Sequence, residues 1–303
     1  MRTLPAQALA PACPRAQGQP ASSAALLLNG RGDSEVLARL LAFILAHHGG
    51  VSQVDHLLDQ ETGQSFSRIE WDLAHFDLAD DELEPALEEV ARCDRGAFRI
   101  ISSRRPARVA IFVSKQDHCL CDLLLRHRTG ELNADIRVVI SNHLELKPLV
   151  EQFGIAYVYS PITPETQALQ EQRQLAILRR HRIELVVLAR YMRILGPALV
   201  DQFPARIINI HHAFLPAFPG GNPYQRALDR GVKLVGATAH YVTAGLDEGP
   251  IIDQGVGRVT HRDSVGDLIA RGRDLERVVL AQAVRLHLEN RVAVCGNKTV
   301  VFG

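Results

Sequence analysis

Four short apolar runs, Arg108–Val113, Ile136–Ile140, Ala156–Tyr159 and Glu184–Leu188, alternate with the helical stretches Cys119–Arg128, Leu146–Phe153 and Thr166–His181. No other feature restricts the folding of this chain so much. The runs are too short for helices and too evenly apolar to keep one face wet, so each reads as a strand buried on both sides. Strands spaced by helices build an α/β fold: a doubly wound, mostly parallel sheet with helices on both faces. Ligands of such sheets lie beyond the carboxyl ends of the strands.

The pattern before residue 102 is different. Strand Ala25–Leu28, helix Ser34–His47, strands Val51–Leu58 and Ser65–Asp72, helix Asp80–Arg92 and strand Ala97–Ile101 follow the βαββαβ order of a ferredoxin-like α+β unit. Glu61-Thr62-Gly63 supplies the hairpin turn between its middle strands. The polar, proline-containing stretch Ser102–Ala107 is the natural linker. The chain is therefore expected to comprise a tail at 1–23, a ferredoxin-like domain at 24–103 and a doubly wound domain at 108–303. The tail, rich in Ala, Pro, Gln and Ser, has no uninterrupted apolar core and is expected to be disordered rather than a signal peptide. Asp263–Leu288 reads as an amphipathic scaffold helix, and Val292–Phe302 as a hairpin about Gly296-Asn297.

Polar groups able to do chemistry gather between Arg206 and Gln254. Arg206–Ile210 is a β-branched run bounded by Pro204 and the pair His211-His212, and it reads as a short buried strand. With a period of two, Asn209 and His211 point to one side. Phe214–Tyr224 holds three prolines and two glycines and is expected to form a rigid loop. Downstream come His240-Tyr241-Val242 and then Asp247, in the glycine-flanked stretch Ala244–Gly249. Taken singly these residues have ordinary uses: a capping Asn, a satisfied core His, a loop Asp. For His212 the structural and the functional reading stand even, whereas Glu248 and Asp253 read as solvated charges.

Composition narrows the function classes. Equal numbers of basic and acidic residues, 34 each, leave no electrostatic footprint for nucleic acid or an anionic membrane. No apolar run approaches the roughly 20 residues that cross a bilayer. Cys13, Cys93, Cys119, Cys121 and Cys295 are scattered and odd in number, which favours reduced thiols and a cytoplasmic setting. His118-Cys119-Leu120-Cys121 lacks a distant second pair and is a weak metal signal. The turn Ser114–His118 has no glycine and cannot cradle a phosphate closely. Lys115 and Asp117 within it read equally as a solvated turn, with Asp117 capping the next helix, or as site residues.

Asn209–Phe218, Gly236–Thr243 and Leu246–Gln254 together resemble the folate-dependent formyltransferase family, and most closely its hydrolytic branch, the formyltetrahydrofolate deformylases. Resemblance extends from about Leu26 to Phe302. It implies an ACT-type N-terminal domain that often binds an amino acid at a dimer interface, a homo-oligomer, and release of formate and tetrahydrofolate from 10-formyltetrahydrofolate for one-carbon and purine metabolism. It further implies that Asn209, His211 and Asp247 are catalytic and His240 supporting, and that Met192, Arg193, Ile194 and Leu195 hold the folate ring. No cofactor or metal is expected. The chemistry agrees: Asn209 can donate to the formyl oxygen as negative charge develops, His211 can deliver a proton, and Asp247 can orient a water. Ala213, Asn222 and Gln225 depart from the family pattern, as does the turn Asn29–Ser34. Two other readings use the same residues: transfer of the formyl group to an amine, or a non-catalytic regulator that binds folate or an amino acid.

Overall fold

The computed structural model describes residues 22–30, 34–91, 97–216 and 223–303. The tail at 1–21, Arg31–Asp33, Cys93 and Pro219–Asn222 lie outside them. The first part of the chain runs β1 (Ser23–Gly30), α1 (Ser34–Ala46), β2 (Gly50–Leu58), β3 (Ser65–Asp72), α2 (Asp80–Ala91) and β4 (Ala97–Ser102). These strands form an antiparallel sheet in the order β2-β3-β1-β4, as the ferredoxin-like reading requires. Val36, Leu40 and Ile44 recur every fourth residue on α1, and Leu83 and Leu87 do so on α2, so each helix presents one apolar stripe. Both stripes pack on Leu26, Leu28, Ile69 and Trp71 of a single sheet face.

The second part runs β5 (Ala107–Val113), α3 (His118–Thr129), β6 (Ala134–Ser141), α4 (Lys147–Gln152), β7 (Ala156–Tyr159), α5 (Gln167–Arg180), β8 (Leu185–Ala189), α6 (Pro197–Val200) and β9 (Ile207–His211). It continues with α7 (Pro223–Arg230), β10 (Leu234–Tyr241), β11 (Ile251–Arg258), α8 (Val265–Leu288), β12 (Val292–Cys295) and β13 (Lys298–Val301). Seven strands form one sheet in the order β11-β10-β9-β8-β5-β6-β7. Its pairings are parallel from β9 to β7 and antiparallel at β10 and β11. Alternate residues feed opposite cores. Ile111, Val187, Ile208 and Ile210 pack with α3 and α8, whereas Phe112, Val186 and Ile207 pack with α5 and α6. Both faces are dry, which explains the uniformly apolar runs.

Two elements differ from the sequence reading. The segment expected to stay a loop through Tyr224 turns helical at Pro223, whose fixed φ suits the first helical position, so Tyr224 lies in the first turn of α7. Asp117 precedes α3 as expected, but its side chain makes no capping bond.

The two sheets share no strand, yet the helix-free face of the first is covered. Leu27 and Phe66 pack there against Ala293 and Phe302 of the C-terminal hairpin. Asn290, fully buried just after α8, donates from Nδ2 to the carbonyls of Ala25 at 3.0 Å and Arg99 at 2.8 Å, and its Oδ1 accepts from Arg99 Nε.

Candidate active site

β9 and its antiparallel neighbour β10 fix the site through their register. Asn209 stands opposite His240, and His211 opposite Thr238. Directly opposed residues on one face have Cβ atoms about 5 Å apart, close enough for short polar side chains to meet. Asn209 Nδ2 lies 3.2 Å from His240 Nε2. The other imidazole nitrogen, Nδ1, is 2.9 Å from the Tyr241 carbonyl oxygen and must donate to it. Nε2 then faces the Asn209 amide and the Asp247 carboxylate together: in the neutral ring it accepts an N–H from the amide, and in the protonated ring it donates to the carboxylate. A register shift between Ala239 and His240 on the β11 side bends the strand at this point.

Asp247 comes from the loop between β10 and β11. Tyr241 N–H donates to Pro250 O at 2.9 Å, folding the loop back on the strand end. This is possible because residue 249 is glycine: a Cβ there would stand 1.8 Å from the Tyr241 carbonyl oxygen. Asp247 has φ +56°, in the left-handed region that Asp tolerates better than most residues. Its Oδ2 is 3.1 Å from His211 Nδ1, and its Oδ1 is 3.5 Å from both His240 Nε2 and Asn209 Nδ2. The His211 hydrogen bond first, and then that of His240, hold the carboxyl well below the usual carboxylate range against the opposing effect of burial. Asp247 is therefore ionised throughout the physiological range.

His211 is buried, and with Nδ1 committed to Asp247 its Nε2 has no hydrogen-bond partner among the described residues. A buried polar atom of this kind is costly unless something is to meet it. One amide, one imidazole and one carboxylate thus converge at the end of a parallel strand, and all three expected catalytic residues plus His240 are brought together.

The Met192–Leu195 segment lies just beyond β8, the strand paired with β9. Met192 N–H donates to Ser114 Oγ at 2.9 Å, and that hydroxyl donates to Asn142 Oδ1 at 2.8 Å, which ties the segment to the carboxyl end of β5. Leu195 is buried in the core on the α5 side, whereas Met192 and Ile194 are 59% and 65% exposed and Arg193 faces solvent. Leu246, beside Asp247, is 64% exposed. Apolar side chains left open at the mouth of a polar site mark a ligand wall. Two of the departures from the family pattern, Ala213 and Gln225, are less intrusive than their position suggests. Ala213 is buried, its carbonyl accepting from Thr238 Oγ1 at 2.9 Å, and Gln225 bonds Asp229 one turn along α7.

Sequence reasoning passed over a second group. Glu276 of the supposed scaffold helix is buried and contacts His118, Arg190 and Tyr224. The signal was present: Glu276 interrupts the every-fourth-residue row Leu268, Gly272, Leu280 and Val284, all buried on α8. Ligand atoms of His118, Cys119 and Glu276 lie within 4.8 Å of one another. The donor set suits a metal poorly, since the Arg190 guanidinium already neutralises Glu276, and burial, then Glu276, push the Cys119 thiol far up.

Residues 107–284 match the formyl transferase family model. The chain is 51% identical over 280 residues to a formyltetrahydrofolate deformylase of Synechocystis, covering 92% of this chain and 98% of that protein. Among solved structures, a formyltetrahydrofolate deformylase from Pseudomonas syringae pv. tomato superposes with TM-score 0.91 at 40% identity, covering 95% of this chain and 96% of the other. One from Burkholderia mallei gives 0.87 at 40% identity, covering 94% and 100%. With the fold and nearly the whole length shared, this chain belongs to the formyltetrahydrofolate deformylase family.

Proposed function

We propose that this protein hydrolyses 10-formyltetrahydrofolate to formate and tetrahydrofolate, with Asn209, His211 and Asp247 as the catalytic unit. The observation that carries the assignment is the unpartnered, buried His211 Nε2 beside an ionised Asp247 and an amide donor. Water adds to the formyl carbon, its oxygen forming the new C–O bond while the carbonyl electrons move onto the formyl oxygen. Asn209 Nδ2 faces His240 Nε2 at 3.2 Å and Asp247 Oδ1 at a longer 3.5 Å, and the N–H on the longer contact turns to meet that oxyanion. Asp247 orients the water and, remaining ionised, stabilises the positive charge that develops on His211 through the Nδ1–H contact. His211 Nε2 takes one proton from the attacking water and passes it to the folate nitrogen as the C–N bond breaks and the oxyanion reforms the carbonyl; formic acid leaves and gives its remaining acidic proton to solvent. These steps use protein groups and water alone. Met192 and Ile194 offer the apolar wall that a pterin ring needs, backed by the buried Leu195 and with Arg193 at its rim. The reaction belongs in the cytoplasm, where the folate pool and reduced thiols agree with the cysteine usage; no helix of the described residues is long and apolar enough to cross a membrane.

We assign the four-stranded unit, taken as a domain over residues 24–103 of ACT type, to self-association. Support comes from β2, an edge strand with Val54, Leu57 and Leu58 each more than 40% exposed, an open template for a second copy.

Purified protein given 10-formyltetrahydrofolate and no amine should release formate and tetrahydrofolate in equal amounts. Formate absent until an amine is added would favour the transferase reading instead.

A further inference from the structure

Beside the trio lies a cluster to which the hydrolytic step gives no task. Its centre is Glu276, 2% exposed although it carries a charge. Oε2 accepts from His118 Nε2 at 2.7 Å and lies 3.3 Å from Arg190 Nε, while Oε1 accepts from the Tyr224 hydroxyl at 3.0 Å. Arg190 Nε also donates to Gln116 Oε1 at 2.7 Å. Burial by itself would raise the Glu276 pKa, but the His118 hydrogen bond and the Arg190 charge outweigh it and keep the group ionised. Room is reserved for Tyr224: a Cβ on Gly272, one turn earlier on α8, would stand 1.9 Å from its hydroxyl oxygen. The Tyr224 ring lies 6.3 Å from that of His212, and His212 stacks on His211 at 5.0 Å and 30°.

We propose that Glu276, Arg190 and Tyr224 are positioning residues that hold His212 against His211 and balance the charge behind the catalytic trio. The charged and titratable groups around His212 are Arg190 after β8, His211 on β9, Tyr224 on α7, Asp247 in the loop after β10 and Glu276 on α8. Burial first, then Arg190 and His211, lower the His212 pKa to about 4, against the opposing pull of Glu276 and Asp247. At neutral pH His212 is thus an uncharged plate on the His211 ring. Glu276 offsets the Arg190 charge that His212 would otherwise feel, and its effect on turnover passes through His212 to the stacked His211 rather than through contact with substrate. The activity arm of the test rests on the deformylase reading.

Glu276→Gln keeps the shape and removes the charge. The limb of the kcat–pH profile that depends on His211 should move to lower pH by roughly half a unit to one unit, with KM for 10-formyltetrahydrofolate held within about twofold. Adding Arg190→Gln should return the limb toward its wild-type position, whereas a merely structural role gives a further loss without return. Should Glu276→Gln fold poorly, NMR titration of the histidine ring protons in the full-length wild-type protein decides. His212 should stay flat above about pH 6, and Tyr224→Phe should alter its resonance. An unmoved limb in folded Glu276→Gln, or wild-type His212 titrating near the ordinary value of about 6.5, overturns the assignment. The NMR arm needs no turnover, so absence of formate would count against the deformylase reading and leave the cluster to be judged separately.

Discussion

In the proposed mechanism Asn209, His211 and Asp247 each have two tasks, one inside the protein and one toward substrate. Asn209 Nδ2 lies on His240 and only loosely on Asp247, from which an N–H can swing to the formyl oxygen, so Asn209→Ala should cost on the order of 10²–10³ in kcat, as loss of one oxyanion donor does elsewhere. Folate binding, measured by fluorescence or calorimetry, should change far less. The three residues share hydrogen bonds around one carboxylate. Losses in Asn209→Ala, His211→Ala and Asp247→Asn should therefore combine to well below the product of the single losses. The depressed Asp247 pKa adds a sign: the carboxylate is already ionised across the working range, so no limb of the pH profile near neutrality should belong to it. A limb should instead vanish in His211→Ala, and one that persists there would mean that another group sets the profile.

At the scale of elements, the site depends on a strand register and a loop that returns to it. Gly249→Ala would push a methyl group into the Tyr241 carbonyl and shift the loop bearing Asp247. Displacement of about 1 Å at a catalytic group costs on the order of 10²-fold, so kcat should fall sharply while the thermal midpoint moves little. A fully active Gly249→Ala protein would show that Asp247 is not held by this turn. The parallel strands and the trio were legible because apolar runs and glycine-flanked polar motifs are local signals. α7 was hidden by prolines that suggested loop throughout, although Pro223 starts the helix. β10 and β11 were hidden by small residues: Gly236, Ala237 and Ala239 fit a crowded sheet but have little intrinsic strand preference. Glu276 was passed over because one charge in a long amphipathic helix looks like a surface residue until the spacing of its buried neighbours is counted.

The whole molecule joins two sheets through the end of α8 and the C-terminal hairpin. The change of pattern at Ser102–Ala107 was visible in the sequence and falls between β4 and β5, but the apolar cover of Phe66 and Leu27 by Ala293 and Phe302 was not, because it pairs residues more than two hundred positions apart. Cutting the chain after residue 103 would bare that surface, so self-association is better tested in the intact protein. Val54→Asp with Leu58→Asp should lower the mass in solution by light scattering, and an unchanged mass would remove β2 from the interface. Asn290→Ala should cost about 1–3 kcal/mol in unfolding free energy, since two buried carbonyls and a guanidinium lose their partner. Catalysis by the folded fraction should survive that change. The most direct test of the hydrolytic assignment is turnover of 10-formyltetrahydrofolate in heavy-oxygen water, without amines, followed by mass analysis of the formate. Each formate should carry one oxygen from the solvent and appear with one tetrahydrofolate. Formate without solvent oxygen, or a formyl group recovered on an added amine in place of formate, would contradict water as the acceptor.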